Sequence, residues 1–255
     1  MIHMFQKLAI AGLFLFPRAA LAGAELSFCY DPYPPYTLGQ SGEPEGGTKV
    51  ELLTAVTQRI DAVSARVQIL PWKRCQELAR SGDMDGILPL FKNEERASYL
   101  TFSEAAFLQK DSFWFLSSRF PQGLPGGGSD FPALSDLRLG MLNGGFIDEE
   151  MEAALSVAQP ITRARDVPAL LKLLQSNRVD LIAISEEVGH FTVKSAGLAG
   201  QIVPAASPIS ARYSYFGLSK ASGADKYVSE FNRALAELHA DGEVLRIQNG
   251  NAATQ

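Results

Sequence analysis

The chain has 255 residues, of which 46% are hydrophobic and 20% are charged, as in ordinary globular proteins. Its net charge of −5 comes without a long run of Lys and Arg. This argues against a nucleic-acid-binding protein, because such binding depends on clustered basic side chains. Only two cysteines are present, and they lack the close paired spacing of a zinc site. We therefore expect neither a metal ion nor a cofactor.

The first segment predicts export from the cytoplasm. Lys7 precedes an apolar run over Leu8–Phe16, and Ala20-Leu21-Ala22 then places small residues where a signal peptidase cuts. The run is too short for a membrane span, which needs about 20 residues. We therefore expect a signal peptide over residues 1–22 that is removed, leaving a free periplasmic protein of one large or two small domains.

The first half of the mature chain predicts alternating strands and helices. In chain order these are a strand over Glu25–Tyr30, a helix over Val50–Ile60, a strand over Val67–Leu70, a helix over Arg74–Arg80 and a strand over Gly86–Leu90. The first helix repeats apolar residues at helical spacing. The last strand is almost entirely apolar, as in a parallel sheet covered on both faces. This order predicts an α/β unit with right-handed crossovers.

A loop rich in Gly and Pro over Phe120–Pro132 indicates a surface loop or a lobe boundary. The predicted elements around it are strands over Phe113–Leu116, Leu137–Leu142, Leu181–Ile184 and Tyr213–Leu218, and helices over Asp148–Leu155, Val167–Gln175, Glu186–Val193 and Asp225–His239. Asp241-Gly242 separates a last short helix that runs through Ile247. Two similar α/β blocks, with a strand and helices after the second, predict two lobes between which the chain crosses twice.

The sequence has no nucleophile elbow, no zinc-protease motif and no phosphate-binding loop. His190 and His239, the histidines after the signal segment, fit surface or capping positions. Acidic pairs such as Glu94-Glu95 and Glu186-Glu187 are adjacent in sequence, so on a helix their side chains would diverge and not face one another. We therefore expect a binding protein and not an enzyme.

Cys29 and Cys75 form an even pair in an oxidising compartment, which permits a disulfide. Both residues fit equally well as small buried apolar side chains in a strand and a helix. The sequence leaves both alternatives open.

Several stretches along the mature chain follow one another in a specific order. They are Asp31-Pro32-Tyr33-Pro34-Pro35-Tyr36, Gly47 before Val50-Glu51-Leu52-Leu53, Leu70-Pro71-Trp72-Lys73-Arg74, Gly82-Asp83-Met84-Asp85-Gly86, Glu95-Arg96 before Tyr99-Leu100-Thr101-Phe102-Ser103, Asp136-Leu137-Arg138-Leu139-Gly140 with Gly144-Gly145, and Arg178-Val179-Asp180. Together they resemble the extracellular solute-binding proteins of family 3, the polar-amino-acid receptors of ABC importers. The resemblance implies a two-lobed α/β fold, in which each lobe is a mostly parallel sheet flanked by helices and the ligand cleft lies between the lobes.

The resemblance also implies domain limits and partners. Lobe 1 would comprise residues 23–112 and 210–255, lobe 2 residues 113–209, and the crossing segments would lie near 110–117 and 203–212. The implied function is that of a monomeric binding protein which captures a small polar, carboxylate-bearing metabolite by lobe closure. Its implied partners are that small molecule and the membrane permease of an ABC importer, or a membrane sensor. An enzyme of dehydratase type on the same fold is the remaining alternative.

Loops after the parallel strands are the predicted ligand site, since ligands gather there and helix N-termini favour anions. The rings of Tyr33, Tyr36 and Trp72 lie on such loops and are suited to sandwiching a small molecule. Arg96 offers a rigid fork for a carboxylate, whereas Arg74 also fits a surface ion pair. The predicted ligand-binding residues are Asp31, Tyr33, Tyr36, Trp72, Arg74, Arg96, Asn143, Gly144, Gly145, Phe146, Ser185 and Glu186.

One position departs from the pattern of the family. Its amino-acid receptors place an acidic residue just after the second-lobe strand to hold the ammonium of the ligand, whereas Ser185 stands there, followed by Glu186. The resemblance therefore implies a carboxylate-bearing ligand that lacks this ammonium or is held through Glu186.

Overall fold

A computed structural model describes residues 23–143 and 160–253. Within these ranges the strands are β1 Ala24–Tyr30, β2 Val63–Ile69, β3 Gly86–Leu90, β4 Leu100–Leu116, β5 Leu139–Leu142, β6 Thr162–Ala164, β7 Leu181–Ser185, β8 Ile202–Pro204 and β9 Ser210–Ser219. The α-helices are α1 Thr48–Thr57, α2 Trp72–Ser81, α3 Glu94–Tyr99, α4 Phe131–Leu134, α5 Val167–Gln175, α6 Glu186–Ser195, α7 Val228–Ala240 and α8 Glu243–Ala253. The predicted signal peptide, the predicted helix Asp148–Leu155 and the site residues Gly144, Gly145 and Phe146 lie outside the described residues.

The strands form one hydrogen-bonded sheet in the order β2-β1-β3-β9-β4-β7-β5-β6, with β8 beside β4. At one end β1 runs parallel to β2 and β3, and at the other β5 runs parallel to β6 and β7. Between them, β9 pairs antiparallel with both β3 and β4. Lobe 1 is the end of the sheet formed by β2, β1 and β3, together with the adjoining parts of β9 and β4. Lobe 2 is the end formed by β7, β5 and β6, together with the rest of β4.

The long strands β4 and β9 connect the two lobes. β4 pairs with β9 from Leu100 to Asp111, and then with β7 from Asp111 to Trp114. Asp111 therefore marks the point where β4 leaves lobe 1, and its partner Ser210 marks the matching point at the start of β9. We propose that the lobes meet at these two positions.

Each lobe has its own hydrophobic core, as expected for two packed units. In lobe 1, Phe28 of β1 stacks against Phe231 of α7 at a ring distance of 5.9 Å, and both rings contact Phe216 of β9. Lobe 2 has a core on each face of its sheet, one around Trp114 and the other around Phe113. Adjacent residues of β4 thus serve opposite faces, which follows from the two-residue period of a strand.

A disulfide joins Cys29 in β1 to Cys75 in α2, across a Cα–Cα distance of 5.6 Å. This resolves the alternative that the sequence left open. Both cysteines are fully buried, so the bridge also fills core volume. It fixes the start of α2 beside the end of β1, where the ring of Trp72 lies 5.5 Å from that of Tyr30.

The bounds of some predicted elements were wrong. The strand predicted at Phe113–Leu116 is the end of the much longer β4, whose earlier residues include enough polar side chains to hide the strand pattern. Arg96 lies in the short helix α3, which the sequence did not predict. Asn93 caps this helix, its Oδ1 accepting a 2.8 Å hydrogen bond from the N–H of Arg96. Six residues are too few for a helical period to be recognised.

Over the described ranges, every helix falls short of the length and apolar character that a membrane crossing requires.

Candidate ligand-binding cleft

A cavity of about 790 Å³, counting its open mouth, lies between the two lobes. Its walls come from both lobes and from β4, and they comprise Tyr30, Asp31, Tyr33, Lys49, Trp72, Leu90, Phe91, Arg96, Gln109, Asp111, Met141, Leu142, Asn143, Ala183 and Ile184. The cavity lies at the carboxyl ends of β1, β3, β5 and β7, the edge at which parallel sheets bind their ligands. A molecule held in this cavity would touch both lobes.

Arg96 is buried in the lobe 1 wall of this cleft, with 6% of its surface exposed. One guanidinium nitrogen, Nη1, donates a 2.8 Å hydrogen bond to the carbonyl of Phe91, and the group lies 5.2 Å from the centre of the Trp72 ring. Burial lowers the pKa of Arg96 from its usual value, and the adjacent Tyr30 acts in the opposite direction. Because an arginine is charged throughout the physiological range, this wall presents an oriented cation.

Lys49 is a second cation in the same wall, and sequence reasoning did not find it. It lies in the first turn of α1 with 1% of its surface exposed. Its Nζ donates hydrogen bonds of 2.8 Å to the hydroxyl of Tyr30 and 2.6 Å to the carbonyl of Pro89. The ammonium also lies about 4.4 Å from the centre of the Tyr36 ring. Aromatic faces favour such a cation.

Two carboxylates line the cleft beside these cations. Asp111 of β4 is buried and its Oδ2 accepts 3.1 Å bonds from Arg212 Nη2 and Ser210 Oγ. Its Oδ1 accepts a bond from Gln109. Asp31, which follows β1, is partly buried. Burial raises the pKa of Asp31 to about 6, and Lys49 acts in the opposite direction. The cleft therefore holds charges of both signs.

Tyr36 does not line the cavity but forms a direct contact between the lobes. Its hydroxyl lies 2.7 Å from Ser185 Oγ and donates a 2.9 Å hydrogen bond to Glu187 Oε2. Ser185 Oγ also donates to the same carboxylate oxygen at 2.7 Å. Tyr36 and Ser185 are both buried, and the ring of Tyr36 packs within a core of lobe 2. We call this group, Tyr36 with Ser185 and Glu187, the inter-lobe contact.

The structure brings part of the predicted site together. The predicted residues at the cavity wall are Asp31, Tyr33, Trp72, Arg96 and Asn143. Their contact with a ligand stays a prediction. The backbone N–H of Asn143 already donates to the carbonyl of Ala164 at 2.8 Å.

Four other predicted residues lie away from the cavity wall. Arg74 is exposed on α2, where it pairs with Glu77 at 3.7 Å, an ion pair of the kind that the sequence left as its alternative role. Tyr36 and Ser185 bind each other, as described above. Glu186 accepts a 2.7 Å bond from Ser112 Oγ of β4. None of these four side chains contributes to the cavity lining.

Within residues 23–143 and 160–253, no group of three or more His, Cys, Asp or Glu side chains is placed to hold a metal ion. The cleft itself offers cations, carboxylates, aromatic rings and the Gln109 amide. Such a set can bind and orient a polar molecule.

The chain belongs to the bacterial extracellular solute-binding proteins of family 3, whose family model matches residues 26–251. The predicted resemblance is thus confirmed. No protein of curated function matches the chain significantly.

Solved structures share the fold. A histidine kinase sensor domain with similarity to periplasmic binding proteins aligns with a TM-score of 0.73 and 18% identity, over 89% of this chain and 95% of its own. AbpA, an amino acid ABC transporter substrate-binding protein of Streptococcus pneumoniae bound to L-arginine, aligns with a TM-score of 0.69 and 17% identity, over 88% and 92%. An ancestral amino-acid-binding protein, described as a precursor of cyclohexadienyl dehydratase, aligns with a TM-score of 0.68 and 15% identity, over 88% and 92%. These matches confirm the predicted two-lobed α/β fold.

Proposed function

We propose that this protein is exported to the periplasm, where it captures a small carboxylate-bearing metabolite and delivers it to the permease of an ABC importer. The observation that carries the proposal is a cleft lined from both lobes, with the buried guanidinium of Arg96 in its wall. A ligand that touches both walls only when the lobes are closed stabilises the closed state. The closed shape is then what a membrane partner recognises.

Membership of a family of extracellular solute-binding proteins supports export, and the predicted signal peptide at residues 1–22 supplies the route. The likeness to a substrate-binding protein of an amino acid ABC transporter supports a permease as the partner. The likeness to a histidine kinase sensor domain favours a second candidate, in which the closed protein docks on a membrane sensor. Both candidates use the same cleft and the same closure.

Ligand release from the native protein tests this proposal. We expect mass spectrometry of small molecules released from natively purified protein to detect a carboxylate-bearing metabolite. Adding it back to the emptied protein should reduce the radius of gyration in small-angle scattering, because it closes the lobes. An unchanged radius at saturation would contradict closure. Conversion of the metabolite during incubation would contradict a binding role and favour an enzyme of dehydratase type. The ancestral amino-acid-binding protein of similar fold is described as a precursor of such an enzyme.

Removing the inter-lobe hydroxyl should weaken binding without touching the ligand. We expect Tyr36→Phe to raise the dissociation constant by about tenfold, since a hydrogen bond to a charged group contributes about 1.5–3 kcal/mol and part of this is recovered in water. The closed population falls, and the apparent affinity falls with it. Calorimetric titration with the released metabolite measures the change. Tyr213→Phe is the matched control, because Tyr213 is 49% exposed, and equal effects of the two variants would refute this role.

A further inference from the structure

Lys49 is a deeply buried cation, with 1% of its surface exposed. By contrast, the buried carboxylates Asp111 and Asp180 have cationic partners. Asp111 pairs with Arg212, and Asp180 pairs with Arg119 at 2.6 Å and with Arg138 at 2.8 Å. Among the described residues, no carboxylate lies within 4.0 Å of the Lys49 ammonium, which binds only the Tyr30 hydroxyl and the Pro89 carbonyl. A buried charge without a counter-ion is costly, so an anionic group that enters the cleft and pairs with the Lys49 ammonium relieves that cost.

The surroundings of Lys49 indicate what supplies that charge. The residue lines the inter-lobe cavity together with Arg96. An ammonium group has three donors, and the two hydrogen bonds above use two of them. The rings of Tyr30 and Tyr36, at 4.5 and 4.4 Å, hold the ammonium in place. One donor thus remains for a ligand oxygen.

We propose that Lys49 is a second anion-binding residue of the cleft, besides Arg96, and that the ligand carries two anionic groups. The inference rests on the proposed function, and it narrows the ligand class from carboxylates in general to dianions. Arg96 holds one anionic group through its planar fork, and Lys49 holds the other as a point charge. Asp31, in the same wall, disfavours a third anionic group and suits a cationic or hydroxyl substituent.

The charges that face Lys49 give the proposal a pH signature. They are Asp31 after β1, Arg96 in α3, Asp111 in β4 and Glu187 in α6, besides the phenol groups of Tyr30 and Tyr36. Burial lowers the pKa of Lys49 to about 7, although Asp31, Asp111 and Glu187 act to raise it. Near pH 7 part of the empty protein therefore lacks this proton. Since a bound anion favours the charged ammonium, binding takes up a proton, and affinity falls as the pH rises above about 7.

Matched pairs of probes test the proposal on the emptied, full mature chain. The pairs are succinate with succinamate, and L-glutamate with L-glutamine, in which an amide replaces one carboxylate at nearly constant shape. In calorimetric titration we expect the wild type to bind at least one dicarboxylate about tenfold or more tighter than its amide partner, a difference of about 1.4 kcal/mol. Lys49→Met should reduce that preference to about twofold or less.

Two further measurements separate recognition from a structural role. Titrations at pH 7.5 in buffers of different ionisation enthalpy should detect uptake of a fraction of a proton by the wild type, and much less by the variant. Lys172→Met, at an exposed lysine of α5, is the control and should keep both signals. If Lys49→Met does not fold, Lys49→Gln removes the charge while keeping a donor for the Pro89 carbonyl, and it should lose the same preference.

The possible outcomes each decide the matter. A wild type that binds the amides as tightly as the dicarboxylates, or a Lys49 variant that keeps the preference, would overturn the inference while solute binding stands. A protein that binds none of the four probes would also overturn it, and the released-metabolite experiment then decides the proposed function separately.

Discussion

Replacing Arg96 with alanine is expected to weaken binding of the released metabolite by at least tenfold and by up to a thousandfold. A hydrogen bond to a charged group contributes about 1.5–3 kcal/mol, and truncation costs more because it leaves a buried ligand carboxylate unpaired. At about 1.4 kcal/mol per tenfold, the hydrogen bond alone gives about ten- to a hundredfold, and the added cost of the unpaired carboxylate extends the range toward a thousandfold. Arg96→Lys should recover only part of the affinity, since an ammonium cannot form the bidentate contact. Calorimetric titration at one pH measures all three proteins.

Arg74→Ala provides the matched control for this experiment. Arg74 is exposed and pairs only weakly with Glu77, so its removal should change neither affinity nor stability by more than about 0.5 kcal/mol. A thermal melt of each empty variant separates binding from folding, because Arg96 also bonds the Phe91 carbonyl and faces the Trp72 ring. An Arg96→Ala protein that binds normally but melts many degrees lower would make Arg96 structural, and Lys49 would become the main cation for the ligand.

The sequence predicted the bounds of an element correctly where one hydrophobic pattern extends over the whole element. The helix Val167–Gln175 and the strand Gly86–Leu90 have the bounds that the sequence predicted. In the first, apolar residues repeat at helical spacing, and in the second, all five positions are buried. α3 and the first part of β4 were not predicted. α3 is short and charged, and β4 changes its pairing partner along its length, so neither carries one continuous period.

The candidate site was predictable only where a motif marked it. Trp72 and Arg96 were found because they belong to stretches that resemble the family, and both line the cleft. Lys49 was missed because the predicted helix began at Val50. It lies three residues before Leu52 and four before Leu53, a spacing that places it on the same buried face of the helix. Asp111 was missed because the predicted strand began only at Phe113.

Long-range contacts were beyond the reach of the sequence. Tyr36 and Ser185 were both expected at the ligand, yet they bind each other across 149 residues of chain. A single sequence indicates which residues carry polar groups at strand ends but not which of these groups meet. The departure at Ser185 is nevertheless informative, because the hydroxyl there serves the inter-lobe contact in this protein.

Replacing both cysteines with alanine is expected to lower the free energy of unfolding by about 4 kcal/mol. The bridge closes a loop with a sequence separation of 46, and the chain-entropy relation for a loop of that length gives about this value. Alanine suits both positions, since each is fully buried and a serine would place an unpartnered hydroxyl in the core. Urea unfolding followed by circular dichroism measures the loss in Cys29→Ala/Cys75→Ala.

Reductant supplies the internal control for the cysteine experiment. It should lower the stability of the wild type toward that of the double variant and leave the variant itself unaffected.

Loss of the disulfide should also weaken ligand binding, because Tyr30 and Asp31 directly follow Cys29, and Trp72 lies three residues before Cys75 in the same first turn of α2. Loosening that junction lets the two parts of the lobe 1 wall separate, so we expect a loss of affinity of a few fold at a temperature where the variant remains folded. Stability within about 0.5 kcal/mol of the wild type would show that the buried side chains alone hold α2 against β1, the second alternative that the sequence allowed.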